Sequence, residues 1–175
     1  MKLPLRLIIE GHDGAGKTSL SKALSAKLDV PLYKCSKERT RMHLANNGAN
    51  AKLNILRFGI REQLDLIQQC NISVIYDRFF PSEWVYSHVL ERQTSDELVF
   101  EYDEWWSELS GKIIFLYKDF VEEQDELIQS SLLDSIKNRY VEYSKLTQCK
   151  FLFLNTTDKN VDNQLTKIIS FLNES

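Results

Sequence analysis

A glycine-rich loop that ends in a lysine and a threonine carries the clearest chemical signal of this sequence. Gly11, Gly16, Lys17 and Thr18 have the spacing G-x-x-x-x-G-K-[ST]. Glycines allow the backbone to turn its N–H groups onto phosphate oxygens, at the positive end of a following helix. The lysine adds a positive charge, and the threonine hydroxyl suits the magnesium ion that accompanies a nucleoside triphosphate. The spacing therefore predicts a site for a triphosphate and Mg²⁺ formed by Gly11, Asp13, Gly14, Ala15, Gly16, Lys17, Thr18 and Ser19.

The dipeptide Asp77-Arg78 is a second candidate for chemistry, because it directly follows the apolar run 72–76. A carboxylate at the carboxyl end of a parallel strand stands where ligands bind in open α/β sheets. Asp77 can hold magnesium through water, and Arg78 can neutralise charge on a phosphoryl group during its transfer. We therefore predict Lys17, Asp77 and Arg78 as catalytic residues and Thr18 with Asp77 as the metal site. The alternative is a surface ion pair that ends a strand.

Short apolar runs, alternating with helix-like segments, must position these residues. The runs 5–9, 30–33, 72–76, 113–117 and 151–154 are uniformly apolar, as parallel strands buried on both faces are. Helical periodicity follows the glycine loop and recurs in the segments 53–67 and 165–172. The pattern predicts an α/β fold in three layers, a five-stranded parallel sheet with helices on both faces. The order of the strands does not follow from these patterns.

Composition limits the class of protein. The 175 residues, 43% of them hydrophobic, suffice for one core, so we expect a single domain over 1–175. No apolar run approaches the length of a membrane span, and the first strand begins without room for a leader, so we expect a cytoplasmic location, in the host if the protein is viral. Three cysteines without metal-ligand spacing are expected to be reduced thiols: Cys35, Cys70 and Cys149.

Charge is unevenly distributed, although the net charge is only -3. The segment 34–61 is almost entirely basic and could face an anionic substrate, whereas the segment 96–126 is acidic and is most simply a solvated face. A binder of extended nucleic acid would usually be basic throughout. Arg57 and Arg61 lie one helical turn apart and would repel each other, unless an anion or an acidic partner lies between them. A contact with phosphate or base and a solvated pair both remain open.

With these residues in view, the chain resembles the thymidylate kinase family, within the larger group of P-loop nucleoside and nucleotide kinases. The loop 10–18, E-G-H-D-G-A-G-K-T, is similar to that family's Walker A loop, E-G-x-D-G-A-G-K-T. The more specific match is to D-R-[aromatic]-x-x-S-x-x-x-Y, formed here by Asp77, Arg78, Phe79, Ser82 and Tyr86. The segment 56–61 is a looser match to L-F-x-x-x-R. The short chain resembles the thymidylate-kinase-like proteins often seen in bacteriophages.

The resemblance implies a P-loop kinase fold and transfer of the γ-phosphoryl group of ATP, with Mg²⁺, to dTMP or a modified pyrimidine deoxynucleoside monophosphate. It implies that Asp13 accepts a hydrogen bond from the 3′-hydroxyl of the acceptor. Ser82 would lie near the base, and Tyr86 would crowd the 2′ position and favour deoxyribose. Arg78, Arg61 and Arg39 would hold the acceptor phosphate, with Arg57 as a further candidate, and Asn155 and Thr156 would contact the donor adenine.

One departure from the family concerns an arginine that stabilises the transition state. The family supplies it from the loop, at the position of Gly14, or from a lid after the fourth strand. The lid-like helical segment near 119–146 contains Lys137 and no arginine before Arg139. Arg139 or an arginine of the basic segment would therefore have to substitute, since such arginines are worth about 10³ to 10⁵ in rate.

Two other functions stay open from the sequence. One is a kinase whose acceptor is a hydroxyl, on a nucleoside or on a modified base such as 5-hydroxymethyluracil in DNA. A hydroxyl needs a carboxylate to take its proton, and Glu10, Glu38 or Asp77 could serve, whereas a phosphate is already an anionic nucleophile. The other is a non-catalytic nucleotide-binding regulatory protein. A small nucleotide is the expected partner, DNA is an alternative acceptor, no membrane is expected, and the protein could be a monomer or a homodimer.

Overall fold

A computed structural model gives the fold and describes residues 4–34, 55–119 and 130–174. Five parallel strands form one sheet in the order β2-β3-β1-β4-β5. The strands are β1 (Arg6–Gly11), β2 (Leu32–Lys34), β3 (Val74–Asp77), β4 (Lys112–Tyr117) and β5 (Lys150–Asn155). The chain turns from one side of β1 to the other between β3 and β4, so ligands are expected at the carboxyl ends of these three strands. The predicted parallel sheet is confirmed.

Helices cover both faces of this sheet, which confirms the three-layer architecture. They are α1 (Lys17–Leu28), α2 (Arg61–Cys70), α3 (Phe80–Val89), α4 (Asp96–Glu108), α5 (Ser130–Leu146) and α6 (Val161–Asn173). Apolar residues of α1 and α6 pack against one face, and those of α2 to α5 pack against the other. Burial on both faces explains why the strands are uniformly apolar. Within the described parts of the chain, no helix has the length and apolar character needed to cross a membrane.

A π-helical turn, Ile55–Ile60, leads directly into α2 and interrupts the helix predicted over 53–67. Ile60, Leu64 and Ile67 of the predicted stripe are buried. A π turn contains more residues than an α-helical turn, so it shifts the side chains before it relative to those of α2. A single helical period could not predict this shift.

The aromatic residues of α4 lie in the core or pack against it. Tyr102 and Trp106 are fully buried, and Trp106 packs edge-on against Tyr76. Most acidic residues of α4 are exposed, with one exception. Asp103 is buried and accepts hydrogen bonds from the Tyr143 hydroxyl at 2.5 Å, from Thr147 Oγ1 at 2.6 Å and from the Gln148 N–H at 2.7 Å.

Candidate active site

The loop between β1 and α1 has the backbone that its glycines predict. Gly11 lies beside Leu116 of β4, and a Cβ at this position would clash with the Leu116 carbonyl oxygen. Gly16 precedes the first residue of α1 with a φ of 83°, in the left-handed region that favours glycine. The loop therefore ends at a helix N-terminus, whose free N–H groups attract anions.

Lys17 is buried within this loop. Its Nζ donates a hydrogen bond to the His12 carbonyl at 2.7 Å and lies 3.8 Å from Asp13 Oδ1. Burial lowers the pKa of Lys17 from 10.5 to about 7, and the positive charge of the nearby Arg78 contributes to this shift. The neighbouring carboxylates oppose the shift. An anion bound beside the loop would favour the charged form of the lysine. The electrostatics of the loop therefore favour binding of a phosphate.

Thr18 and Asp77 are brought together from α1 and β3. Thr18 Oγ1 donates a hydrogen bond to Asp77 Oδ2 at 2.9 Å. Lys34, opposite Asp77 in the β2–β3 register, places its Nζ 2.9 Å from Thr18 Oγ1 and 3.4 Å from Asp77 Oδ2. Hydroxyl and carboxylate oxygens are the ligands that Mg²⁺ prefers, and a positive charge is already drawn to this pair. The two residues therefore fit the metal that the fold implies.

Arg78 brings the second motif against the glycine loop. Its Nη2 donates to Asp13 Oδ1 at 2.6 Å, its Nη1 lies 3.5 Å from Ser82 Oγ, and its guanidinium lies 4.8 Å from the Tyr86 ring centroid. The backbone of Arg78 has a φ of 71°, in the left-handed region. The Tyr86 hydroxyl is buried and has no hydrogen-bond partner among the described residues. These contacts bring together four of the residues predicted to bind the acceptor, namely Asp13, Arg78, Ser82 and Tyr86.

Glu10 lies behind Arg78 and is fully buried. Its Oε1 accepts the N–H groups of Phe79 at 2.9 Å and Ser82 at 3.3 Å. Its Oε2 accepts hydrogen bonds from the hydroxyls of Ser82 and, at 2.8 Å, Tyr140. Burial raises the pKa of Glu10 above its usual range, while the Arg78 charge and these hydrogen bonds oppose the shift. With four donors around it, the carboxylate is not placed to take a proton from a substrate.

His12 joins the glycine loop to the segment after β4. Its Nε2 accepts the Lys118 N–H at 3.1 Å, so Nδ1 carries the proton and donates to the Asp13 carbonyl at 2.7 Å. Burial lowers the pKa of His12, which favours the neutral ring that these two bonds require. The sequence pattern assigned no role to this position, because the contact spans 106 residues.

The arginines predicted around the acceptor do not all reach the site. Arg61 Nη1 lies 3.6 Å from Glu101 Oε1 of α4, so an acidic partner compensates the charge of Arg61. Such a partner, or an anion, is needed to relieve the repulsion that the sequence predicts between Arg57 and Arg61. Arg139 donates to Glu142 at 2.6 Å, and its guanidinium lies 5.4 Å from the Trp84 ring centroid, so its side chain is engaged with residues of α5 and α3. Arg39 lies outside the described residues, and so does the side chain of Arg57.

Lys137 is the cation of α5 that the structure places at the carboxyl end of β4. Its Nζ lies 4.6 Å from the ring centroid of Tyr117, the last residue of that strand. Lys118, which follows Tyr117 in the chain, donates its backbone N–H to His12 of the glycine loop. Lys137 therefore lies beside the carboxyl end of β4, at the edge of the sheet that carries the glycine loop.

The residues predicted to contact adenine are at the end of β5. Thr156 is buried, and its hydroxyl donates to the Ala15 carbonyl of the glycine loop at 2.9 Å. Asn155 donates to Asp119 at 2.7 Å and accepts the Thr157 N–H at 2.9 Å. The segment after β5 therefore braces the loop, and Thr156 already uses its hydroxyl within the protein. Ser19 is exposed at the start of α1.

Comparison with known proteins agrees with this fold. No family model matches the sequence, and no curated protein matches it. Among solved structures, YorR protein from Bacillus subtilis, in complex with phosphorylated GDP, is 22% identical with a TM-score of 0.67 over 95% of this chain and 94% of that one. Thymidylate kinase from Candida albicans is 15% identical with a TM-score of 0.68 over 97% and 91% of the two chains.

A third match extends the comparison to a nucleoside kinase. Deoxyadenosine kinase from M. mycoides with bound dATP is 19% identical, with a TM-score of 0.66 over 97% of this chain and 100% of that one. At such identities these similarities establish the fold alone. The fold is that of thymidylate kinase and deoxyadenosine kinase, so the P-loop kinase fold expected from the two motifs is confirmed.

Proposed function

We propose that the protein is a nucleotide kinase that transfers the γ-phosphoryl group of ATP to dTMP or a modified pyrimidine deoxynucleoside monophosphate. The observation that carries this proposal is the meeting of two motifs that lie far apart in the chain. Thr18 contacts Asp77 at 2.9 Å, and Asp13 contacts Arg78 at 2.6 Å. The glycine loop, a hydroxyl–carboxylate pair and a half-buried guanidinium thus meet at one edge of the sheet, which supports phosphoryl transfer as the chemistry of the site.

On the donor side, the loop N–H groups and Lys17 would hold the phosphates of ATP, and Thr156 would keep the loop in place through the Ala15 carbonyl. Thr18 and Asp77 would hold Mg²⁺, which supplies charge neutralisation between the phosphates when it is bound. Lys34 would have to leave these two oxygens as the metal enters.

The described carboxylates favour a phosphate acceptor over a hydroxyl. Glu10 is enclosed by four donors, and Asp77 is engaged with Thr18 and Lys34. A hydroxyl acceptor would need one of them as a general base. A phosphate acceptor needs only positioning and positive charge, which Arg78 and Lys34 can supply. Of the three carboxylates predicted as bases, Glu38 lies outside the described residues.

On the acceptor side, Arg78 would move from Asp13 to the incoming phosphate, which frees Asp13 to accept the 3′-hydroxyl. Tyr86 lies directly under Arg78, and its buried hydroxyl offers a hydrogen-bonding group to the sugar. The Ser82 hydroxyl already bonds to Glu10, so Ser82 would shape the pocket through its backbone. Arg61 could contribute only after leaving Glu101.

A panel of acceptors tests the proposal. The protein is incubated with labelled ATP and Mg²⁺ and with dTMP, dUMP, 5-hydroxymethyl-dUMP, thymidine, or DNA that contains 5-hydroxymethyluracil. Diphosphate products from the monophosphates are expected, with loss of activity in Lys17→Ala and normal activity in Lys22→Ala, which changes an exposed lysine of α1. Product only from thymidine or DNA would establish the hydroxyl kinase. Tight ATP binding without any product would establish the regulatory protein.

A further inference from the structure

We propose that Glu10 is a positioning residue for Arg78, whose backbone it holds in the left-handed conformation that aims the guanidinium at Asp13. Only the kinetic part of the test rests on the proposed function. The conformational part concerns the free protein.

The argument begins with the two peptide groups that flank Arg78. The Arg78 N–H donates to the Ile9 carbonyl of β1 at 3.0 Å, which continues the pairing of β1 with β3. The next N–H, that of Phe79, donates instead to the Glu10 side chain at 2.9 Å. Both peptide groups next to the Arg78 Cα are therefore attached to consecutive residues of one central strand. This double attachment fixes the backbone of the residue between them.

The conformation that results is unfavourable for arginine. Its φ of 71° brings the Cβ close to the backbone, a cost that glycine does not have. Such a conformation persists only where the surroundings impose it. The hydrogen bond from Phe79 to Glu10 is the contact that can impose it here, because the Ile9 bond on its own continues an ordinary strand.

The functional consequence is the direction of the side chain. From this backbone, the guanidinium contacts Asp13 at 2.6 Å and lies over the Tyr86 ring. In an extended backbone, the chain would continue along β3 and the side chain would take another direction. Glu10 also accepts hydrogen bonds from Ser82 and Tyr140, so its own position is fixed by α3 and α5. Because the Glu10 carboxylate is held in place, its hydrogen bond to the Phe79 N–H can fix the backbone of Arg78.

Two variants distinguish the effect of the length of the Glu10 side chain from the effect of its charge. Glu10→Gln keeps an oxygen at the same distance and removes the charge. Glu10→Asp keeps the charge but is one methylene too short to reach the Phe79 N–H. The conformational readout is the melting temperature of Arg78→Gly relative to Arg78→Ala, because both variants lack the guanidinium and only glycine is free of strain at this φ.

With Glu10 or Gln at position 10, we expect the glycine variant to melt about 2–4 °C above the alanine variant. With Asp at position 10, the difference should vanish, because residue 78 can relax. Tyr140→Phe serves as the matched control: it removes a donor from the same carboxylate without touching Phe79, so the difference should persist. The proposal would be overturned if the glycine and alanine variants differed equally in melting temperature with Glu, Gln or Asp at position 10 and in Tyr140→Phe. It would also be overturned if they did not differ with Glu10 itself.

The kinetic readout uses variants with Arg78 intact. We expect Glu10→Asp to lower kcat/KM for the acceptor by about 10- to 100-fold, as displaced catalytic groups do, with an unchanged Kd for ATP, and Glu10→Gln to lower it less. A larger loss in Glu10→Gln than in Glu10→Asp would show that charge, not positioning, is the role of Glu10. If no acceptor is phosphorylated at all, the proposed function fails, and the melting temperatures still decide the role of Glu10.

Discussion

The guanidinium of Arg78 lies 2.6 Å from the carboxylate of Asp13, although 65 residues separate them in the chain. In the free protein, each therefore compensates the charge of the other. An acceptor nucleotide that binds to both must separate them, which makes the two residues distinguishable by kinetics.

Arg78→Ala should lower kcat by about 10² or more, because one donor to the transferring group is lost. Initial rates at saturating ATP and acceptor measure this effect. Arg92→Ala, which changes an exposed arginine after α3, should leave kcat unchanged. An unchanged kcat in Arg78→Ala would remove this residue from the mechanism.

Asp13→Asn should raise the KM of the acceptor more than the KM of ATP, since the carboxylate is proposed to accept the 3′-hydroxyl. Separate titrations of the two substrates give both constants. The amide can still accept one hydrogen bond, so Asp13→Ala should have the larger effect. Equal increases in both constants would contradict the assignment.

Lys34→Met should increase the affinity for divalent cations, because the ammonium group competes for the same two oxygens. Binding of Mn²⁺ in the presence of ATP, followed by electron paramagnetic resonance, measures this directly. The metal-free variant should also melt about 2 °C lower, as expected for loss of an ion pair between a largely exposed lysine and a buried carboxylate. Lys22→Met is the matched control, and a weaker Mn²⁺ affinity in Lys34→Met would refute the competition.

Lys137→Ala should lower kcat by about 10² or more if this lysine replaces the lid arginine, whereas Arg139→Ala should have little effect on kcat. Arg139 is already engaged with Glu142 and Trp84. Lys137→Arg should retain activity, since it preserves the charge. The opposite pattern, with Arg139 essential, would show that α5 changes its orientation when substrates bind.

Acid should destabilise the protein through His12. Burial lowers the pKa of the ring in the folded protein, so below about pH 6.5 the unfolded chain binds a proton that the native protein does not. The free energy of unfolding should therefore fall as the pH decreases from 7.5 to 5. Denaturant titrations should show a weaker pH dependence of this free energy in His12→Gln. Identical slopes in the native protein and His12→Gln would contradict this role.

The sequence was sufficient where function depends on local spacing. The glycine loop, the Asp77-Arg78 dipeptide after a buried strand and the apolar runs each carry their signal within about ten residues. These local signals predict the parallel sheet, its three-layer arrangement and the contact between Thr18 and Asp77.

Contacts between distant segments that no local motif marks could not be predicted in this way. Lys34 faces Asp77 only because β2 pairs with β3 in one register, and Tyr140 reaches Glu10 across 130 residues. Arg61 pairs with Glu101, which lies on another helix. Tertiary packing decides whether Arg61 contacts this carboxylate or a phosphate. The left-handed backbone of Arg78 has no signal in the residue type, since arginine rarely adopts it.

The buried Asp103 has a mechanical consequence for α5. Its three hydrogen bonds attach the last turns of that helix and the junction with β5 to α4. The middle of α5, which carries Lys137, is held instead by the hydrogen bond from Tyr140 to Glu10. The helix is thus attached at its C-terminal end through Asp103 and near its middle through Tyr140, and the two attachments together fix the position that Lys137 takes beside Tyr117.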